Sequence, residues 1–390
     1  MADFIPFALP TIGDEEIDEV VRTIRSGWLT TGPQARRFEA EFAAYLGRRH
    51  AVAVNSATAG LHLALEAIGV GPGDVVITTV FTFTATAEVI RYLNATPVFI
   101  DINPKTKNMD VQALKAALHR HAGRVKAVIP VHFAGLACEM GEILECAKKS
   151  GAVVVEDAAH ALPTRSAGRL IGSFGDITVF SFYATKTLAT GEGGMIVTDD
   201  DRWAERMRVM RLHGISKDAF GRYSDQKPSW HYEVVAPGYK YNLTDVAAAL
   251  GIQQLRKVEA MHERRVEIAA AYLAGLASLP LELPYSDGLA SHAWHLFTIE
   301  LLLDRIDIGR DEFIGELMKA GVGVSVHFIP LNRHPYWRQS CGLDDQDFPV
   351  ATDKFLRTVS LPIYPRMTKA HVERVIGAVA GLCERHAVAA

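Results

Sequence analysis

The sequence predicts an α/β chain: a large domain on a mainly parallel sheet, then a smaller C-terminal α+β domain. Three observations carry this expectation. Short apolar runs alternate with helix-length segments from residue 38 to about 200. The runs are rich in Val, Ile and Ala with few polar positions between, which suits strands covered on both faces. A long helical pattern then occupies 243–276, after which the segments shorten. The expected organisation is a large domain over 1–250 and a smaller one over 251–390, joined by that helix.

Taken in order, "AVAV" (51–54) is a strand leading into "SATAGLHLALEAIGV". There Leu61, Leu65 and Ile68 share one helical face, and Gly69 and Gly71 end the helix. The strands "VVIT" (75–78), "PVFIDI" (97–102), "VKAVIPV" (125–131), "AVVVE" (152–156), "ITVFSF" (177–182) and "MIVT" (195–198) follow. Most are separated by enough chain for a covering helix. The stretch 214–238 has no clear period and holds several aromatics, so it reads as a flap or a partner-contacting loop. The long helix is lightly interrupted by Gly251. Beyond it, "HAWHLFTIELL" reads as a strand and "RDEFIGELMKAG" as a helix.

Composition excludes several classes of function. The 390 residues are 49% hydrophobic and 22% charged, with a formal net charge of −4, so no basic surface for nucleic acid is expected. No apolar stretch approaches the ~20 residues of a membrane span. The opening "MADFIPFALPTIGDEEIDEV" meets acidic residues early and does not read as a secretory leader. Four cysteines show neither CxxC spacing nor a disulfide framework. Fifteen histidines fall into no metal-ligating pattern. A soluble cytoplasmic protein without a metal is the expectation.

Three polar clusters follow three different strands: "NSATAG" (55–60), "EDAAHA" (156–161) and "SFYATK" (181–186). In an open α/β sheet such positions converge on one crevice beyond the carboxyl ends of the strands. Read singly, each has an ordinary explanation: a helix cap, a salt-bridged carboxylate, a lysine where a strand meets solvent. Read together, they match the needs of pyridoxal 5'-phosphate (PLP). Its phosphate suits the helix start at Ala57 and Thr58, with the hydroxyls of Thr58 and Ser181 as donors. Its pyridine nitrogen needs an anion, which Asp157 offers. Its aldehyde needs an amine, and Lys186 supplies one. Phe83, after the strand 75–78, can stack on the ring, although ordinary core packing explains it equally well.

These motifs, in this order, resemble the sugar aminotransferase family of fold-type I PLP enzymes. The likeness rests on "SGWLTTGPQARRFEAEFAAYLG", "VNSATAGLHLAL", "EDAAHA", "SFYATK", "GYKYNLTDVAAALGIQQL" and "VHFIP", with "GEGG" after Lys186, and it runs nearly end to end. It implies that Lys186 is the Schiff-base lysine and proton shuttle, that Asp157 pairs with the pyridinium, and that His160 sits near the cofactor's 3-hydroxyl. It also implies Ala57, Thr58 and Ser181 at the phosphate, and Asn242 reaching the phosphate of the neighbouring subunit in a homodimer with composite sites. The alternative for Asn242 is capping the helix after Thr244. The implied reaction moves an amino group from glutamate to the 4-keto carbon of a nucleotide sugar. "SGWLTTGP", "PGYKYNLTD" and "HAWHLF" favour a UDP-4-keto-pentose of lipid A modification within the family, whereas "QKPSWHYEVV" fits the wider family, including enzymes of 4-keto-6-deoxyhexoses in O-antigen synthesis. His327, in "SVHFIPLN", is a candidate sugar contact or a packed histidine. Lys186 argues against the family's dehydratase branch, which carries His there. A PLP-binding regulator without turnover would share the cofactor motifs.

Overall fold

The computed structural model describes residues 4–216 and 231–388. The large sheet is built from β1 (His50–Val54), β2 (Val75–Thr79), β3 (Thr96–Ile100), β4 (Val125–Ile129) and β5 (Val153–Asp157). A small hairpin, β6 (Arg165–Ser166) with β7 (Arg169–Leu170), precedes its last two strands, β8 (Ile177–Ser181) and β9 (Gly194–Thr198). The order across the sheet is β1-β9-β8-β5-β4-β2-β3. β9 alone runs against the rest, pairing antiparallel with both β1 and β8. The mainly parallel sheet is therefore present, with one reversed strand that the apolar pattern did not disclose.

Both faces of the sheet are covered, and the strands show it residue by residue. Val52, Val155 and Val179 belong to one core, packed with Leu61 and Leu65 of α3 (Ala57–Ala67). Their neighbours Ala53, Val154 and Phe180 belong to the other, with Phe38 and Phe42. Those two rings lie on the helix Pro33–Leu46. Alternate side chains thus point to two apolar faces, which is why the strands read as continuous hydrophobic runs. Gly60 lets α3 seat closely, since a Cβ there would lie 2.6 Å from Val179 Cγ1.

The long helix is unbroken from Asp245 to Leu276. Gly251 interrupts nothing; its missing side chain makes room for the Phe38 ring, 2.6 Å from where a Cβ would stand. Ala248, Ile252 and Val258 pack into the large core, whereas Ile268, Tyr272 and Leu276 pack into a second core. That second core surrounds a three-stranded sheet of β10 (Leu281–Glu282), β11 (Phe297–Leu301) and β12 (Thr358–Leu361). The expected strand over "HAWHLFTIELL" starts only at Phe297. The backbone before it turns sharply, with Trp294 at φ +49° and its amide donating to His292 Nδ1 at 2.8 Å. The helix expected over "RDEFIGELMKAG" spans Arg310–Lys319. Most of the aromatic stretch 214–238 lies outside the described residues.

One buried carboxylate ties the start of the long helix to an earlier one. Asp245 accepts the amides of Gly32 (2.7 Å) and Ala35 (2.9 Å) on Oδ1 and of Gln34 (3.0 Å) on Oδ2. It thereby satisfies the N-terminus of the helix Pro33–Leu46, whose own cap, Gly32, has no side chain. Desolvation raises its pKa above the ordinary aspartate value in spite of those three donors. Asp245→Asn replaces an acceptor with a donor facing buried amides. It should lower unfolding free energy by about 1–3 kcal/mol, read as a shift in the urea midpoint.

Candidate active site

The carboxyl ends of β1, β5 and β8 open into one cavity of about 480 Å³, within the ~300–1,000 Å³ usual for small-molecule sites. Ala57, Thr58, Phe83, Asp157, His160, Ser181, Lys186 and His327 all line it. The three polar clusters read from the sequence thus do meet. Asn242 does not: it lines a separate cavity with Thr31, Arg208 and Lys240. Nor does it cap the helix behind it, because Thr244 does, accepting the Ala247 amide at 3.2 Å. Asn242 instead donates to Thr31 Oγ1 at 2.7 Å.

At the floor of the cavity, Ser56 caps α3 by accepting the Ala59 amide at 3.1 Å. Among the described residues no acceptor meets the Ala57 and Thr58 amides, so two donors and the positive end of the helix face the cavity. β9 runs hard against this helix start. A Cβ on Gly194 would lie 2.8 Å from the Ser56 carbonyl carbon and 2.9 Å from the Ala57 nitrogen. The last glycine of the "GEGG" motif is therefore glycine for closeness to the helix start.

Asp157 ends β5 with a buried carboxylate. Its Oδ2 accepts from Thr86 Oγ1 at 2.8 Å and its Oδ1 from the Ala159 amide at 3.1 Å. Thr86 in turn accepts from Thr82 Oγ1 at 2.8 Å. The adjacent Glu156 points away into the core. It accepts from His132 Nε2 (2.9 Å), Thr178 Oγ1 (2.7 Å) and the Gly175 amide (2.7 Å). Strand alternation thus gives two consecutive carboxylates opposite tasks, one facing the cavity and one fixing the strand.

Lys186 stands in the turn after β8, its amide donating to the Tyr183 carbonyl at 2.8 Å. Desolvation lowers its ammonium pKa from 10.5 to about 8, and Asp157 opposes part of that fall. His160 is buried, and burial followed by the Lys186 charge pushes its pKa well below 6.5. Its Nδ1 accepts the Ala134 amide at 3.3 Å, so the neutral ring carries its proton on Nε2. Phe328 stacks on it at 5.6 Å and 19°. His327 is lowered to about 4, first by burial and then by Lys186; its Nδ1 pairs with Ser360 Oγ at 2.9 Å and its ring stacks on Phe7 at 5.4 Å. Phe83 is 60% exposed, so it is not packed core but an exposed ring lining the cavity, with its centroid 6.1 Å from that of Phe328.

Sequence reasoning assigned no role to Thr86 or His295. Thr86 hid inside "FTFTATAEVI", where a hydroxyl on the inner face of a helix was the only signal. His295 lies in "HAWHLF", quoted above only as part of a strand and of a likeness. It is buried, lies 4.4 Å from the His160 ring centroid, and its Nδ1 meets no partner among the described residues. Free amides at a helix start, a buried carboxylate, a desolvated amine and an exposed ring together fit PLP.

The comparisons with known proteins decide the family. Residues 10–380 match the DegT/DnrJ/EryC1/StrS aminotransferase family. The chain belongs to that family. It is 50% identical over 378 residues to the spore coat polysaccharide biosynthesis protein SpsC of Bacillus subtilis, covering 96% of each chain. Spr1654 of Streptococcus pneumoniae in its PMP form superposes with a TM-score of 0.91 at 33% identity, over 98% of this chain and 99% of that one. Helicobacter pylori PseC, an aminotransferase involved in the biosynthesis of pseudoaminic acid, gives 0.90 at 27%, over 98% and 100%. The fold is that of fold-type I PLP enzymes, and the protein is a PLP-dependent sugar aminotransferase. No helix among the described residues is long and apolar enough to cross a membrane.

Two outcomes follow. In cofactor-free protein, reductive methylation of Lys186 should rise with pH about a midpoint near 8, because only the neutral amine attacks a carbonyl and it dominates above that pH. Peptide mass spectrometry reads this directly, and Lys186→Arg, always protonated, should leave no reactive amine there. Asp157→Asn keeps the shape but removes the anion. It should weaken cofactor retention by about 1.5–3 kcal/mol and slow turnover by more, measured by cofactor titration and steady-state rates.

Proposed function

We propose that the protein transfers an amino group from glutamate to the 4-keto carbon of a nucleotide sugar. The observation that carries the reading is Lys186, an amine desolvated at a strand end beside a buried carboxylate and a helix N-terminus. When bound, PLP supplies the electron sink through which an amino group passes between donor and acceptor. The rest is this chain's work. The Ala57 and Thr58 amides, with the hydroxyls of Thr58 and Ser181, anchor a phosphate. Asp157, held by Thr86 and the Ala159 amide, keeps a proton on the pyridine nitrogen. Lys186, able to gain and lose a proton near neutrality, carries protons across the reacting carbons. The neutral His160 offers Nε2–H as a donor, and Phe328 stacked on it keeps water from that side. His327, which lines the same cavity beside Phe328, contacts the sugar.

The assembly we propose is a homodimer in the cytoplasm. Asn242, placed away from its own chain's cavity beside Lys240 and Thr31, reaches the partner's phosphate. Within the nucleotide-sugar class, "SGWLTTGP", "KYNLTD" and "HAWHLF" support a UDP-4-keto-pentose and lipid A modification. A second reading, a UDP- or dTDP-4-keto-6-deoxyhexose, draws support from the 50% identity to SpsC, a protein named for polysaccharide synthesis.

A panel assay separates them. Protein first aminated with glutamate is mixed with UDP- and dTDP-linked 4-keto sugars while deamination is followed by absorbance. Fastest return with the UDP-4-keto-pentose supports the first reading and with a 4-keto-6-deoxyhexose the second. No return with any keto sugar would overturn both.

A further inference from the structure

His160 offers the cavity a donor only while the proton of its neutral ring sits on Nε2. One backbone amide holds it there. Nδ1 accepts from the Ala134 N–H at 3.3 Å, and a proton on Nδ1 would set N–H against N–H. The aim of that amide therefore fixes the chemistry of the imidazole. Ala134 stands in the tight turn Phe133–Gly135, at φ +58° and ψ −3°. A residue with a Cβ keeps this left-handed conformation only where its surroundings impose it.

A buried side chain brackets the turn from both ends. Asn108, 2% exposed, lies in the loop after β3, where its own carbonyl accepts the Asn103 amide at 2.9 Å. Its Oδ1 accepts the Phe133 amide at 2.9 Å, just before Ala134. Its Nδ2 donates to the Leu136 carbonyl at 3.1 Å and the Ala137 carbonyl at 3.0 Å, just after it. Oxygen and both amide protons are thus in use, on either side of residue 134. Other partners hold only the carbonyls of the turn. The Leu296 and Ala293 amides, leading into β11, donate to Ala134 and Gly135 at 3.2 and 3.0 Å, and Thr164 Oγ1 donates to Gly135 at 2.6 Å.

We infer that Asn108 is a positioning residue for the reaction: it shapes the turn that presents the Ala134 amide, and so keeps His160 a fixed Nε2–H donor toward the cavity. The inference rests on the reading that His160 meets the cofactor. A ring free to carry its proton on Nδ1 would turn a lone pair to the cavity. An oxygen of the cofactor would then face that lone pair rather than a proton. The ring's packing partners cannot prevent this. Phe328 and His295, with centroids 5.6 and 4.4 Å from that of His160, fix the plane of the imidazole but not the place of its proton.

The test reads the tautomer directly, from imidazole nitrogen shifts of isotope-labelled histidine in cofactor-loaded and cofactor-free protein near neutral pH. The His160 signals are those lost in His160→Gln. Wild-type protein should show the Nε2–H tautomer alone. Asn108→Asp keeps the size of the side chain but turns two donors into acceptors facing the Leu136 and Ala137 carbonyls. It should shift His160 to a mixture or to Nδ1–H, and weaken cofactor binding about two- to tenfold. Adding Asn108→Asp to His160→Ala should weaken the cofactor no further than His160→Ala does, which a general loss of structure would not reproduce. Melting temperature and circular dichroism verify folding, with Asn108→Ser as the milder replacement. An unchanged tautomer in the folded variant, or a further loss in the double variant, would overturn the inference. The underlying reading fails separately. If the tautomer shifts while neither Asn108→Asp nor His160→Ala changes cofactor affinity, His160 does not meet the cofactor, although Asn108 still sets its proton.

Discussion

An ammonium group withdrawn from water is the constraint around which this molecule is arranged. Burial lowers the Lys186 pKa to about 8, and an isolated charge there would be costly. Three features make the position tolerable and useful. The Asp157 carboxylate returns part of the lost solvation. His160, His295 and His327, all held neutral by burial, add no competing positive charge. The parallel sheet delivers the carboxyl ends of its strands to one edge, so the amine, the carboxylate and the helix dipole meet without long loops.

The fold was legible where the chemistry of burial writes itself into sequence. Strands covered on both faces need apolar side chains at every position, so runs such as 125–129 and 177–181 stood out. The reversal of β9 left no trace, because a two-sided strand has the same composition in either direction. The strand start at Phe297 was missed because the turn geometry of Trp294 depends on a hydrogen bond to His292, not on a glycine or proline. In the site, Lys186 and Asp157 were visible as polar residues ending apolar runs, and Ala57 as the start of a helix that follows one. Thr86 and His295 were not, since their meaning comes from neighbours distant in sequence.

Two motifs read separately along the chain prove to be halves of one joint. "TTGP" and "NLTD" meet where Asp245 receives the amides of Gly32, Gln34 and Ala35, and where Thr31 donates to the Leu243 carbonyl at 2.5 Å. Asn242 is held in the same joint through Thr31. The glycine preceding the helix Pro33–Leu46 has no side chain to cap with, so an aspartate from the later helix takes its place. Residues that resemble a substrate signature are thus also a structural fastening, and Asn242 owes its position to that fastening.

The N-terminal segment carries a temporal consequence. Ile5 is buried in the second core and exchanges backbone hydrogen bonds with Gly321 and Gly323 at 2.9 and 2.8 Å. Two residues on, Phe7 stacks against His327 on the wall of the cofactor cavity. During synthesis on the ribosome this stretch emerges long before its docking partners, which lie more than three hundred residues further along the chain. The large sheet can form while translation continues, but the cleft gains its final wall only after residues beyond 320 have left the exit tunnel. Changes at Ile5 or Phe7 would therefore act on a late event of assembly, although they touch residues made early.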